Sequence, residues 1–180
     1  MTSSIASQRL LIRPLQLGDS EAVFRYRSNP DVVRYQMWKP QGRSDVRQFI
    51  RKLKRLTPGM PGIWYQFAIV LRERDDLIGD CGIHVPLAAA DIAELGMTLA
   101  PEFQKKGYAL EALRLLIRYC FETLEMRLIV ARTVPQNTRS IALIDKTGFQ
   151  PSLPKQAGFN AAEGELLYSL DRSSWERSND

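Results

Sequence analysis

Between Gly107 and Leu124, the side chains of Leu110, Leu113, Leu116, Ile117, Cys120 and Leu124 recur at three- and four-residue steps and gather on one face of a helix. A helix with one apolar face needs a second layer to cover it. DIAELGMTLA (91–100) supplies that layer as a strand, and only Pro101–Lys106 separate it from the helix. A strand that passes through so short a turn into a helix leaves the helix's first N–H groups free at the end of the sheet. Lys105 and Lys106 stand directly before that helix start, where the macrodipole disfavours cations. An anion held on the free N–H groups accounts for both lysines and for Gly107, which lets a ligand approach the backbone closely. A surface turn with solvated lysines is the plain alternative. The stretch fits neither G-x-x-x-x-G-K-S/T nor G-x-G-x-x-G, so neither common phosphate loop applies.

The rest of the chain reads as short elements with turn signals between them. RLLIRPL (9–15) opens as a strand stopped by Pro14, and GDSEAVFRYRSNP follows as a helix capped at Asp19 or Ser20. QGRSDVRQFIRKLKRLTPG is a second helix, with Ser44 as its cap and Val46, Phe49, Ile50, Leu53 and Leu56 as its stripe. IWYQFAIVL (63–71), DLIGDCGIHV (76–85) and the strand 91–100 form a meander through the turns RERDD and PLAAAD. RLIVARTV (127–134) is a strand, PQNTRSIALIDKTGF a helix capped near Asn137 and closed by Gly148, and ELLYSL (165–170) a last strand. Strand–helix–strand alternation after residue 91 predicts parallel pairing there, with antiparallel pairing before it, in an α+β fold.

Bulk properties narrow the function classes. The 180 residues, without repeats or low-complexity tracts, fit a single domain over 1–180. The net charge of +5 and pI near 9.4 are ordinary for a small domain, so a nucleic-acid partner is the minor reading. Cys81 and Cys120 lack CxxC spacing, which indicates neither a disulfide framework nor a zinc site. His84 is the single histidine; this argues against a metal site and a Ser-His-Asp triad, and His84 reads as a structural residue at a strand end. MTSSIASQRL has no signal-type apolar core, and no apolar run reaches membrane-spanning length, so no membrane association and a cytoplasmic location are expected.

QKKGYA (104–109), following a strand and Pro-Glu-Phe, resembles the Q/R-x-x-G-x-G/A signature of the GNAT N-acetyltransferase superfamily. NTRSIALIDKTGF (137–149) is similar to the N-x-x-S…K-x-G-F segment of the branch that includes ribosomal-protein N-terminal acetyltransferases. RLLIRPL, IGDCGIH and AELGMTLAPEFQKKGYALEAL match that branch in order and spacing, and the resemblance spans about residues 8–170. It implies a mixed, twisted sheet flanked by helices and splayed near 91–100 and 127–134 to admit acetyl-CoA as co-substrate, with no metal. Gln104, Lys105, Lys106, Gly107, Tyr108 and Ala109 would then cradle the pyrophosphate. The backbone of Met97, Thr98 and Leu99 would hold the pantetheine arm, and one N–H there would polarise the thioester carbonyl. Asn137 would contact the cofactor, cap its helix, or do both.

The implied reaction is direct acetyl transfer to a primary amine, a protein N-terminus ahead of a small molecule. An α-amine, with pKa about 8, asks less of a base than a lysine at about 10.4. Alternation puts Glu94, Gly96 and Thr98 on one face of their strand, so Glu94 could deprotonate the amine beside the cleft, directly or through water, or position it, or be a plain exposed charge. Ala109 stands where many members have glycine. Ile144 stands where many have the tyrosine that protonates the leaving thiolate, and the branch resemblance points to Ser140 instead. RYQMWKP (34–40) falls where the family builds its acceptor wall; Tyr35, Met37 and Trp38 line a pocket or anchor the core, the core reading being favoured. The rival from another class is an acyl-CoA-binding or nucleic-acid-binding module without catalysis. A homodimer stays open.

Overall fold

The structure, a computed structural model, describes residues 5–152 and 162–177. Residues 1–4, on which the reading of the N-terminus partly rests, and residues 153–161, inside the span of the resemblance, lie outside the described residues. In chain order the elements are β1 (Ile5–Ala6), β2 (Leu10–Pro14), α1 (Ser20–Arg27), α2 (Pro30–Val33), α3 (Arg43–Leu53), β3 (Trp64–Leu71), β4 (Asp76–His84) and β5 (Ile92–Leu99). Then come α4 (Tyr108–Glu122), β6 (Leu128–Thr133), α5 (Thr138–Asp145), β7 (Gln150–Pro151), β8 (Leu166–Asp171) and α6 (Arg172–Arg177).

The strands form one eight-stranded mixed sheet in the order β1-β2-β3-β4-β5-β6-β8-β7. Antiparallel pairing before residue 91 and a parallel β5–β6 pair agree with the sequence reading. The expectation of parallel pairing throughout the later part needs correcting: β8 runs antiparallel to both β6 and β7. The strand–helix–strand unit exists as β6–α5–β7, whose two strands share a direction, but β8 returns between them. Its six-pair register with β6 covers that strand from Leu128 to Thr133 and leaves β7 at the edge.

Helix α4 lies on the sheet through a wider face than the stripe read from sequence. Ala112, Leu113, Leu115, Leu116, Ile117, Tyr119, Cys120 and Phe121 are all buried, and Tyr119 meets Phe67 of β3 edge-on with centroids 6.0 Å apart. Each large apolar side chain buried this way stabilises by about 1.5–3 kcal/mol. Both cysteines are buried and free, and burial pushes their thiols up, so neither is a nucleophile. The opposite face of the sheet is covered by α1 and α3, with Val23, Val46, Ile50 and Leu53 buried in the same core. Helix α3 starts one residue before the expected cap. Gly42 takes the cap position, Ser44 lies inside the first turn, and Asp45 reaches back to accept the Gln41 N–H at 2.8 Å.

Candidate active site

The site grows out of β5, whose two edges differ. Toward β4, the register runs from His84↔Glu94 to Gly79↔Leu99, the whole inner length of the strand. Toward β6, it starts at Ile92↔Leu128 and stops at Leu95↔Ala131. Beyond Leu95 the strands part. The Ala100 N–H donates to the Ile78 carbonyl at 2.9 Å, so even-numbered residues here turn their backbone groups toward β4. Met97 and Leu99 therefore present theirs to the split, and Thr98 does not. The Leu99 carbonyl is taken by the Gln104 side-chain amide at 3.0 Å, which leaves Met97 N–H, Met97 C=O and Leu99 N–H at the open edge.

Past a short 3-10 turn at Pro101–Phe103, Lys105 (φ 62°) and Gly107 (φ 82°) both hold left-handed backbone, tight enough to set the chain directly into α4. Gly107 caps α4 without a side chain, and its carbonyl receives the first helical bond from the Glu111 N–H at 3.1 Å. The N–H groups of Tyr108, Ala109 and Leu110 precede that bond and have no carbonyl of the helix to meet. A Cβ at Gly107 would meet only the Arg9 guanidinium, at 3.5 Å. This concave run of N–H groups fits a phosphate anion. Lys105 and Lys106 are exposed around it.

Two more arginines, which sequence reasoning missed, complete that rim. Arg9 lies 4.9 Å over the Tyr108 ring and donates from Nε to Glu111 at 2.7 Å. Burial pushes the Glu111 carboxyl up, but hydrogen bonds from Ser7 and Arg9 outweigh it and hold the group below its ordinary value. Arg139, from the first turn of α5, donates to the Gln104 side-chain carbonyl at 2.9 Å and so joins the α5 wall to the loop. Asn137 caps α5, its Oδ1 accepting the Ser140 N–H at 3.3 Å; Ser140 is half-buried in the same turn. Ile144, at the position of the missing tyrosine, is a buried core residue.

Glu94 sits on β5 one residue before the last β5–β6 pair. It is 4% exposed, which removes the reading as a plain surface charge. Arg132 of β6 holds both of its oxygens, Nε to Oε1 at 2.7 Å and Nη2 to Oε2 at 2.9 Å. Hydrogen bonding to Glu94 raises the Arg132 guanidinium further, against the effect of burial. His84 ends β4, as expected, and its Nδ1 lies 3.5 Å from Glu94 Oε2. Arg132, directly after the apolar run LIVA (128–131), was the signal for this partner.

A second buried network, also missed, fastens the wall opposite α4. Asp80 of β4 is fully buried and accepts from Arg27 Nε at 2.8 Å, with the Tyr26 hydroxyl and the Gln66 amide on the same carboxylate. Burial, then the charge of Asp80, push the Tyr26 hydroxyl well up, so it donates. The Arg27 guanidinium lies 5.2 Å from the Trp38 ring, which packs on Phe49 at 4.6 Å. Trp38 is the core anchor that was favoured, but its neighbours are not. Met37 is 81% exposed, and Tyr35 is exposed with its hydroxyl donating to the Gln136 carbonyl at 3.2 Å. The segment thus reaches the loop before α5 through Tyr35 and returns to the core at Trp38.

Among the described residues no group of three or more histidine, cysteine, aspartate or glutamate side chains is arranged to hold a metal, and no helix is long and apolar enough to cross a membrane. Residues 9–150 match the family described as Acetyltransferase (GNAT) domain. The uncharacterized N-acetyltransferase p20 of Bacillus licheniformis is 32% identical over 148 residues, 82% of each chain. Of solved structures, a GNAT-family acetyltransferase from Bacillus anthracis superposes with a TM-score of 0.79 at 27% identity, over 95% of this chain and 99% of that one. A putative ribosomal-protein-serine acetyltransferase from Vibrio cholerae does so with a TM-score of 0.77 at 26% identity, over the same shares. A half-unzipped strand feeding an uncapped helix start, together with this match, places the chain in the GNAT family of acetyl-CoA-dependent N-acetyltransferases.

Proposed function

We propose that the acceptor is a protein N-terminal α-amine, ahead of a small-molecule amine. The observation that supports this reading is the open edge of β5 beyond Leu95, with Glu94 on the same strand and the α5 turn that bears Ser140 tied through Arg139 to Gln104 of the following loop. The similarity to the Vibrio cholerae protein described as a putative ribosomal-protein-serine acetyltransferase favours a protein acceptor. Acetyl-CoA supplies the activated acyl group when bound. The uncapped N–H groups of Tyr108, Ala109 and Leu110, with Lys105, Lys106 and Gln104 beside them, hold its diphosphate. The Met97 and Leu99 backbone groups hold the pantetheine arm as an added strand would be held, and one N–H there draws charge from the thioester carbonyl. Asn137 caps α5 and contacts the arm from the far wall.

Glu94 assists removal of the amine proton, directly or through an intermediary, and the Ser140 hydroxyl protonates the departing thiolate. The thiol it forms has an ordinary pKa of about 8.5, so the thiolate needs a proton near neutral pH. CoA release with peptides carrying a free N-terminal serine, run beside a library of small amines, tests the acceptor. Faster turnover of the peptides, with acetate on the α-nitrogen by mass spectrometry, is expected. Turnover confined to small amines would transfer the assignment to them.

A further inference from the structure

We propose that His84 is the proton acceptor for the amine, with Glu94 acting behind it rather than in its place; this rests on the transfer reading above and names its missing base. Glu94 is poorly suited to take a proton itself. Both of its oxygens accept charge-assisted hydrogen bonds from one guanidinium, at 2.7 and 2.9 Å, and the carboxylate is buried. Those bonds occupy the oxygens that an incoming proton would need.

His84 has the opposite features. Its Nδ1 is buried with no hydrogen-bond partner, and a buried polar atom in that state calls for an explanation. It faces Glu94 Oε2 at 3.5 Å, a length that a catalytic contact takes before substrate closes it. The side chain keeps 23% exposure although Nδ1 is buried, so the exposure belongs to the rest of the side chain. The ring cannot turn freely, because it stacks on Trp64 with centroids 5.3 Å apart and planes 18° apart. An Nδ1–H aimed at Glu94 leaves the second nitrogen as the bare, basic one.

Register puts this group beside the split. Trp64, His84 and Glu94 lie opposite one another across β3, β4 and β5, and Gly82 and Gly96 face each other in the next row. Gly96 is the first β5 residue without a β6 partner. A Cβ there would touch the Trp64 ring at 3.4 Å, so the indole lies over the glycine and forms a ledge leading to the imidazole. The charged groups set against His84 are Glu94 from β5 and, behind it, Arg132 from β6, with Glu165 3.6 Å from Arg132; β3 adds the uncharged Trp64. Those three charges leave one net negative charge, which an imidazolium neutralises.

In the reaction, the amine lone pair forms the C–N bond at the thioester carbonyl and the C–S bond breaks. The proton leaving nitrogen passes to the second nitrogen of His84. Ser140 gives its proton to sulfur and is refilled from solvent, to which His84 returns the one it took. No oxidant or further reactant is needed.

His84 is the only histidine in the chain, so its NMR signals need no assignment. Long-range 1H–15N correlation of the free protein near pH 8 is expected to show the Nδ1–H tautomer, and Glu94→Gln should abolish that preference. A dominant Nε2–H tautomer in the wild type would overturn the proposal, whatever the acceptor proves to be. With an N-terminal serine peptide as probe, kcat/KM should rise with pH along two limbs, the lower matching the titration of the His84 signal. His84→Gln should delete that lower limb, keep the one due to the amine, reduce kcat at least tenfold and leave acetyl-CoA affinity unchanged. A uniformly lowered profile with both limbs intact would make His84 a structural residue. Loss of acetyl-CoA binding in the wild type would instead defeat the transfer reading.

Discussion

The two edges of β5 are made of the same eight residues and behave differently. The β4 edge is closed to its end, and so tightly that Gly79 has no room for a Cβ, which would lie 2.2 Å from the Thr98 carbonyl oxygen. The β6 edge is closed for four residue pairs and then open. Unpaired backbone groups inside a protein are costly unless something else satisfies them. On the proposed reading the acetyl-CoA arm satisfies the open edge, while pairing with β4 holds the strand on its other side.

Gly79→Ala attacks the closed edge and should have the largest effect. The clash is with backbone, which cannot swing aside, so the loss should lie near the top of the ~1–3 kcal/mol range for overpacking, with Tm several degrees lower. Gly96→Ala, on β5 itself, is the control, because its Cβ would meet only the Trp64 ring at 3.4 Å. A calorimetric scan in which the two variants melt alike would remove the contrast between the edges.

Glu94→Gln comes next. It should lower turnover by about 100-fold, the scale of a lost acid–base contribution, with little change in acetyl-CoA affinity. A rise in the acceptor's KM alone would make Glu94 an amine-positioning group. Ser140→Ala should slow turnover while sparing both binding steps, and unchanged rates would move thiolate protonation to solvent.

Gly107→Val tests the mouth of the open edge. Its side chain blocks the N–H cradle, and left-handed backbone costs a non-glycine residue about 1–2 kcal/mol. Acetyl-CoA affinity by titration calorimetry should fall at least tenfold. The smallest effect belongs to Lys105→Glu combined with Lys106→Glu, since both side chains are exposed. A few-fold loss at low ionic strength, shrinking as salt is added, is expected. Equal affinity at all salt concentrations would return the lysines to the status of solvated charges.

The sequence carried the open edge better than the network behind it. Strands β3–β6 and helices α4 and α5 were legible because periodicity, Pro58-Gly59, Asn137 and Gly148 are local signals. The turn at Lys105–Gly107 was legible because cations at a helix start are out of place. What escaped was long-range pairing. Arg132 reaches Glu94 across 38 residues, and Arg27 reaches Asp80 across 53. No spacing rule links such residues, although a charge inside each apolar strand marked one partner. The place of β8 between β6 and β7 escaped for the same reason, since sheet order is fixed by packing and not by any one strand's composition. Met37 misled because an apolar residue beside a tryptophan reads as core until the turn of the chain is known.

The central claim is that the backbone of β5 beyond Leu95 receives the acetyl-CoA arm on its open edge. Residue-resolved amide hydrogen exchange with and without saturating acetyl-CoA tests it most directly. The Met97 and Leu99 amides should slow at least tenfold on binding, while Thr98, already turned toward β4, should change little. Uniform protection of all three, or none at Met97 and Leu99 despite proven binding, would contradict the account.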